Sequence, residues 1–313
     1  MKLSNLTKSV LAASALTFAA FSANAGVISS SYLEVNNFSL NGVSSADLTF
    51  LAPGTREGAT SAQINIGTNL TAGDSDTGAA LADVDALLAC VGISCGSLTL
   101  SENSGATYYT DALTNGYNYS YSDQVVSGNA LNGSSSGFTV SESSLSNIPA
   151  GGASSNGNIF NEFEAVFQFG GTTDAIVDFT LDYILDMASV ITPDIAFNDL
   201  VTATTTAFAN FTVTLDEIGS SNQQQWSIVD ETISGRDGAF FNTFFPGANS
   251  EMISENVVGF NSGDFTLKAN TAYSLNISQT TSSNVSLVPE PTSVAILGLG
   301  LLGLAGASRR RKA

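Results

Sequence analysis

Four sets of side chains in this 313-residue chain stand at spacings that could do chemistry. Glu162 and Glu164 flank Phe163, so on a strand they share one face about 7 Å apart, a spacing two hydrolytic carboxylates can use. No further acid follows in step; Ala165-Val166-Phe167 comes next, and among 28 acids such a pair arises by number alone. Asp74 and Asp76, in Gly73-Asp74-Ser75-Asp76-Thr77-Gly78, open like a calcium loop with two hard carboxylates in a glycine turn. A third acid in register and a bidentate Glu are missing, so they are weak calcium candidates, with a solvated turn as the competing reading. Tyr117, Tyr119 and Tyr121 recur at every second position and line one strand face. Such a row can stack sugar rings, or simply pack as aromatics on a β surface. Cys90 and Cys95 complete the set.

Composition removes most enzyme classes. Histidine is absent, which excludes a Ser-His-Asp triad, a Cys-His pair and a histidine zinc helix. Two cysteines cannot make a four-cysteine metal site. The chain is therefore expected to have no catalytic residues, to be no enzyme, and to need no cofactor beyond the weak calcium candidates. Acids outnumber Lys plus Arg by 28 to 9, which argues against a nucleic-acid partner.

The two ends carry addressing patterns. Lys2 and Lys8 precede an uncharged, mostly apolar stretch from Val10 to Phe21, and Ala23-Asn24-Ala25 then supplies a small-x-small cleavage site. Residues 1–25 thus read as a signal peptide, with signal peptidase as partner, cleavage after Ala25 and a mature start at Gly26. Export places the chain in an oxidising compartment, where Cys90 and Cys95 are expected to close a disulfide. At the other end Thr292 to Ser308 is a run of 17 uncharged residues. As a helix it spans roughly 25 Å, enough to cross the hydrocarbon core. Arg309, Arg310, Arg311 and Lys312 follow as a cluster that stays cytoplasmic, leaving the body on the far side of the inner membrane. Gly298, Gly300 and Gly303 match a dinucleotide fingerprint by letter, but they lie within the apolar run with no strand before them.

Val288-Pro289-Glu290-Pro291 stands directly before that run, held extended by its two prolines. Taken together, VPEP, the apolar run and the RRRK terminus resemble the PEP-CTERM sorting signal of Gram-negative bacteria. The resemblance covers residues 288–313 and says nothing of the body. It implies that exosortase, a membrane protease-transpeptidase, recognises Pro289, Glu290 and Pro291. Removal of the tail would then take the protein from a periplasm-facing, membrane-held precursor to a mature form at the cell surface or beyond. An exopolysaccharide or biofilm layer is the setting that the resemblance implies, with a structural or adhesive role there. A carbohydrate-binding module using the tyrosine row is the alternative, and a calcium-dependent adhesin or enzyme a weaker one.

The elements that must position these residues are read from residues 26–287, the exported body. Between Gly26 and Val288 stand three cations, Arg56, Arg236 and Lys268, against 27 acids, a field that keeps the body soluble. Period-two alternation predicts strands at Asn161–Phe169, Ile176–Asp186 and Thr205–Asp216, with Trp226–Ile233, Asp264–Leu267 and Ala272–Ser278 as further strands. In Thr205–Asp216 the expected inward set is Ala207, Ala209, Phe211, Val213 and Leu215. The fold class is mainly β: an antiparallel, jelly-roll-like sandwich with one short helix, flanked by the signal peptide and the C-terminal transmembrane helix. That helix is predicted at Ala79–Ala89 from the common face of Leu81, Val84, Leu87 and Leu88. Asn129–Asn158, rich in Gly, Ser and Asn, reads either as a linker that subdivides the body or as a long surface loop.

Overall fold

The computed structural model describes residues 26–289, apart from 53–54, 80–82, 104–106, 109–111, 113–114, 132, 147, 149, 192–200 and 238–249. Fourteen strands account for most of them: β1 Gly26–Asn41, β2 Leu48–Ala52, β3 Thr55–Asn65, β4 Asn69–Ala79, β5 Val84–Val91, β6 Tyr119–Gly128 and β7 Ser135–Ser146. The remainder are β8 Gly151–Phe169, β9 Ala175–Ile191, β10 Val201–Glu217, β11 Gln223–Asp237, β12 Ser250–Asn261, β13 Phe265–Leu267 and β14 Thr271–Pro289. The apolar alternation places side chains as expected. Ala207, Ala209, Phe211, Val213 and Leu215 of β10 are all buried, as are Val177, Phe179, Leu181 and Leu185 of β9.

The strands form two antiparallel seven-stranded sheets, which meets the expectation of a mainly β antiparallel sandwich. One sheet runs β12-β9-β1-β7-β6-β5, with β13 also on β9. The other runs β11-β10-β14-β8-β3-β4, with β2 also on β8. The first and last strands, β1 and β14, therefore sit in the middle of opposite sheets. They end side by side as well. Val27 pairs with Ile191, Leu287 pairs with Gly151 and Ala203, and Val27, Ile191, Ala203 and Leu287 share one apolar cluster. Gly26 and Pro289 thus leave the sandwich at the same end.

Between the sheets the interior has three zones along the strands. The end away from Gly26 and Pro289 is large and aromatic: Phe179 stacks on Phe38, meets Phe265 at a tilt and Trp226 edge-on. The end next to the termini is aliphatic, built around Val27, Ile64, Leu145, Val285 and Leu287. A belt of hydroxyls lies between them. Ser29, Ser31, Ser120, Ser122, Ser141, Ser143 and Ser189 of the first sheet face Ser155, Thr205, Thr281 and Ser283 of the second, and all are buried. Across the gap Ser143 bonds to Ser283 at 2.8 Å, Ser141 to the Thr281 carbonyl at 3.0 Å, and Ser189 to Thr205, while within the second sheet Ser155 bonds to Ser283 at 2.7 Å. Ser29 and Ser31 reach main-chain carbonyls of β10, those of Thr206 and Phe208, at 2.6 and 2.8 Å.

Small side chains let the sheets close tightly here. A Cβ on Gly157 would lie 3.0 Å from the Val140 carbonyl oxygen and 3.2 Å from that of Asp123, both on the opposite sheet. The backbones are therefore well inside the roughly 10 Å of ordinary face-to-face packing.

Two sequence expectations fail. The segment predicted as a helix at Ala79–Ala89 holds the end of β4 and most of β5, with 80–82 outside the described residues. A bulge between Ala86 and Ala89 shifts the register of β5 on β6, and this breaks the period-two pattern into a helix-like one. Val84 and Ala86 are buried and Leu87 faces solvent. The linker or loop predicted over Asn129–Asn158 contains β7 and the first part of β8. Its Gly and Ser content reflects the belt, where nearly every residue of β7 is buried.

Candidate functional site

The sorting motif begins on the fold itself. Pro289 is the last residue of β14, while Glu290, Pro291, the apolar run 292–308 and Arg309 to Lys312 lie outside the described residues. Among the described residues no helix is long and apolar enough to cross a membrane. Ala23 and Ala25 also lie outside them, and Gly26 is the first residue of β1. β14 is paired on both sides nearly to its end. Val285 and Leu287 pair with Ala153 and Gly151 of β8, and with Thr205 and Ala203 of β10; Val288 and Pro289 then pair with Thr202 and Val201. Val285 and Leu287 are buried, and Val288 is half exposed.

Cys90 and Cys95 form the expected disulfide, with Cα atoms 6.1 Å apart. It ties β5 to the segment that follows, which lies over the outer face of the first sheet as a partial third layer. Leu98, Tyr108 and Ala112 of that segment pack on Tyr119, Tyr121 and Val140. This layer overturns the sugar-stacking reading of the tyrosine row. Tyr119 and Tyr121 are 0% exposed, and Tyr117 precedes β6 and is half buried. Period two correctly puts Tyr119 and Tyr121 on one face; what it lacks is the upstream segment carrying Leu98, Tyr108 and Ala112, which folds back over that face. Tyr108 meets Tyr121 edge-on at 5.7 Å between ring centres, and burial pushes the Tyr121 hydroxyl's pKa far up.

The same layer hides a carboxylate that sequence reasoning missed. Glu142 of β7 is 0% exposed and accepts from the Tyr108 amide at 2.9 Å, from Ser30 Oγ at 3.1 Å and from the Tyr119 hydroxyl. Nothing in Ser141-Glu142-Ser143 marks it as buried, because its neighbours are hydroxyls and not apolar residues. Asp123, two positions from Tyr121, is also fully buried. Burial raises its carboxyl to about 6, helped by nearby Glu102 and opposed by the Asn103 and Gln124 amides that it accepts. Arg56, one of the body's three cations, is buried on β3 and donates to the Gly128 carbonyl at 3.1 Å; burial lowers its pKa, and Asp83 works the other way.

The two calcium candidates hold the protein's own backbone. On β4, Asp74 accepts from the Leu87 amide at 2.8 Å and Asp76 from the Asp85 amide at 3.1 Å. These bonds tie the edge strand of one sheet to the edge strand of the other, which covers edges that would otherwise offer unpaired groups. Among the described residues no group of three or more acids or cysteines is arranged to hold a metal ion. The side chains of Glu162 and Glu164 lie outside the described residues. Asp178 and Asp182, on the outer face of β9, are bonded to amides instead: Asn261 donates to Asp178, and Asn37 and the Gly259 amide donate to Asp182. Those two bonds, the Asn37 one first, hold the Asp182 carboxyl below its ordinary pKa.

Comparison with known families adds one finding. Residues 287–312 match the model of the PEP-CTERM protein-sorting motif. No curated protein matches the chain. The matched residues begin at Leu287, within β14, so sorting signal and folded body overlap on the last central strand.

Proposed function

We propose that this PEP-CTERM domain-containing protein, exported and sorted by exosortase, is a non-catalytic structural component of an extracellular polysaccharide layer. The observation that carries the reading is the complete signal, VPEP followed by the apolar run and RRRK, on a mainly β body. Residues 1–25 act as the signal peptide, and 292–308 with Arg309–Lys312 hold the precursor in the inner membrane until Pro289-Glu290-Pro291 is processed.

The body's chemistry supports a passive role. The buried hydroxyls of the belt bond one sheet to the other, and the Cys90–Cys95 disulfide pins a covering layer. The outer face of β1, β9 and β12 carries cross-strand amide and hydroxyl pairs, such as Asn41 to Thr180 at 2.8 Å and Asn37 to Asp182 at 2.8 Å. A strongly acidic, hydrated surface of this kind suits contact with a polysaccharide gel and requires no cofactor.

The test is fractionation of an extracellular matrix from cells with and without the protein. The protein should remain with the insoluble polysaccharide after washing, and matrix from cells lacking it should lose cohesion with unchanged polysaccharide chain length. Shortening of the polysaccharide by the purified body would contradict the non-catalytic reading. Quantitative recovery in the soluble medium would contradict the matrix role.

A further inference from the structure

We infer that the end of β14 is a latch on the sorting motif: Leu287–Pro289 must come away from β8 and β10 before the membrane protease can take Pro289-Glu290-Pro291. The inference rests on the reading above, in which that motif is the processing site and 292–308 lies in the bilayer.

Three observations carry it. First, both hydrogen-bonding edges of the backbone are occupied up to Leu287, which lies between Gly151 of β8 and Ala203 of β10, and β10 continues the pairing through Pro289. Proteins that grip an extended peptide do so largely through these same main-chain groups. One carbonyl or amide cannot serve the sheet and a protease cleft at once. Second, Val285 and Leu287 are 0% and 2% exposed, so the side chains just upstream of the motif are buried among Val27, Ile64 and Ile191. Third, the reach is short. Residues 288–291 are all that separate Leu287 from the apolar run, and four extended residues cover at most about 14 Å. A docked β14 leaves the protease no free chain on the body side of the motif.

The same end of the sandwich holds Gly26 in β1, paired with Ser146, so a central strand adjoins each site of membrane-linked processing. Local opening of strand ends is an ordinary event in folded proteins. Here it sets the processing rate: the protease sees only the open fraction of molecules, and its apparent affinity falls by that fraction.

The experiment follows processing of the full-length precursor by pulse-chase in cells that contain the protease. Three variants are compared with the wild type: an eight-residue Gly-Ser insertion between Val288 and Pro289, Leu287→Ala, and residues 288–313 fused to an unstructured carrier. The insertion frees the motif at the expense of the terminal Pro289–Val201 pairing alone, with Leu287 and Val288 left docked, and Leu287→Ala weakens docking at unchanged length. The expected result is a processing half-time at least tenfold shorter for the insertion and severalfold shorter for Leu287→Ala. Equal half-times for the insertion and the wild type, with the carrier fusion still processed, overturn the latch. Acceleration by the insertion alone, without Leu287→Ala, also overturns it, because distance from the membrane would then be the limit. An unprocessed carrier fusion instead sinks the sorting reading on which the latch depends.

Discussion

The aromatic end around Phe179 and the hydroxyl belt around Ser143 are parts of one interior, between the same two sheets, yet different physics holds each. At the aromatic end large side chains fill the gap, and stability comes from apolar surface removed from water. Phe179 alone touches three other rings. In the belt little apolar surface is available. The sheets close until serine hydroxyls reach the opposite backbone, and among the described residues no belt hydroxyl lacks a partner. Each such bond contributes only about 1 kcal/mol net, but leaving one unmade costs more. The difference teaches that β-sandwich strands need not be apolar inside if they are small, satisfied and close.

Substitutions can break that contrast, beginning with the aromatic end. Phe179→Ala removes a fully buried ring and should cost about 3–5 kcal/mol in urea-induced unfolding. A loss under about 1 kcal/mol would mean that this end is not close-packed. In the belt the sensitive change is the opposite one, from small to large. Gly157→Val drives a side chain toward the Val140 and Asp123 carbonyls and should cost about 2–3 kcal/mol by the same assay. A neutral result would show that the sheets are not in close approach there.

The covering layer outside the belt responds to pH. The Asp123 carboxyl titrates near 6 when folded and near 3.9 when unfolded, so the folded state binds the extra proton between those values. Stability should therefore rise as pH falls from 7 to about 5, by about 1 kcal/mol from this group. Asp123→Asn should flatten the dependence of melting temperature on pH; an unchanged slope would assign it to other groups. The smallest expected effect is Ser143→Ala, about 1 kcal/mol, since Ser155 and Ser283 remain bonded to each other at 2.7 Å.

The same contrast explains how far the sequence could be read. Strands at the aromatic end were predictable because Phe, Leu and Val alternate with polar residues in β9, β10 and the C-terminal half of β8. The belt strands β7 and the first half of β8 were not, because serine and glycine occupy both faces and leave no hydropathy signal. The same holds for the second half of β14, where Thr281 and Ser283 take the inward positions. β5 reads as helix in the sequence because its bulge mimics helical spacing. Among site residues, the Cys90–Cys95 pair and the VPEP order depend on chemistry local in sequence and were readable. Burial of Tyr119, Tyr121 and Glu142 depends on a segment that covers them from elsewhere in the chain, and no local pattern announces it.

The most direct test of the central claim is the intact mass of the mature protein recovered from the cell surface and the medium. Export and processing at the sorting motif predict a product that starts at Gly26, ends near Pro289–Pro291 and retains the Cys90–Cys95 disulfide, with any added mass belonging to an attached group. A product that still carries Arg309–Lys312 and is confined to the inner membrane would contradict the account.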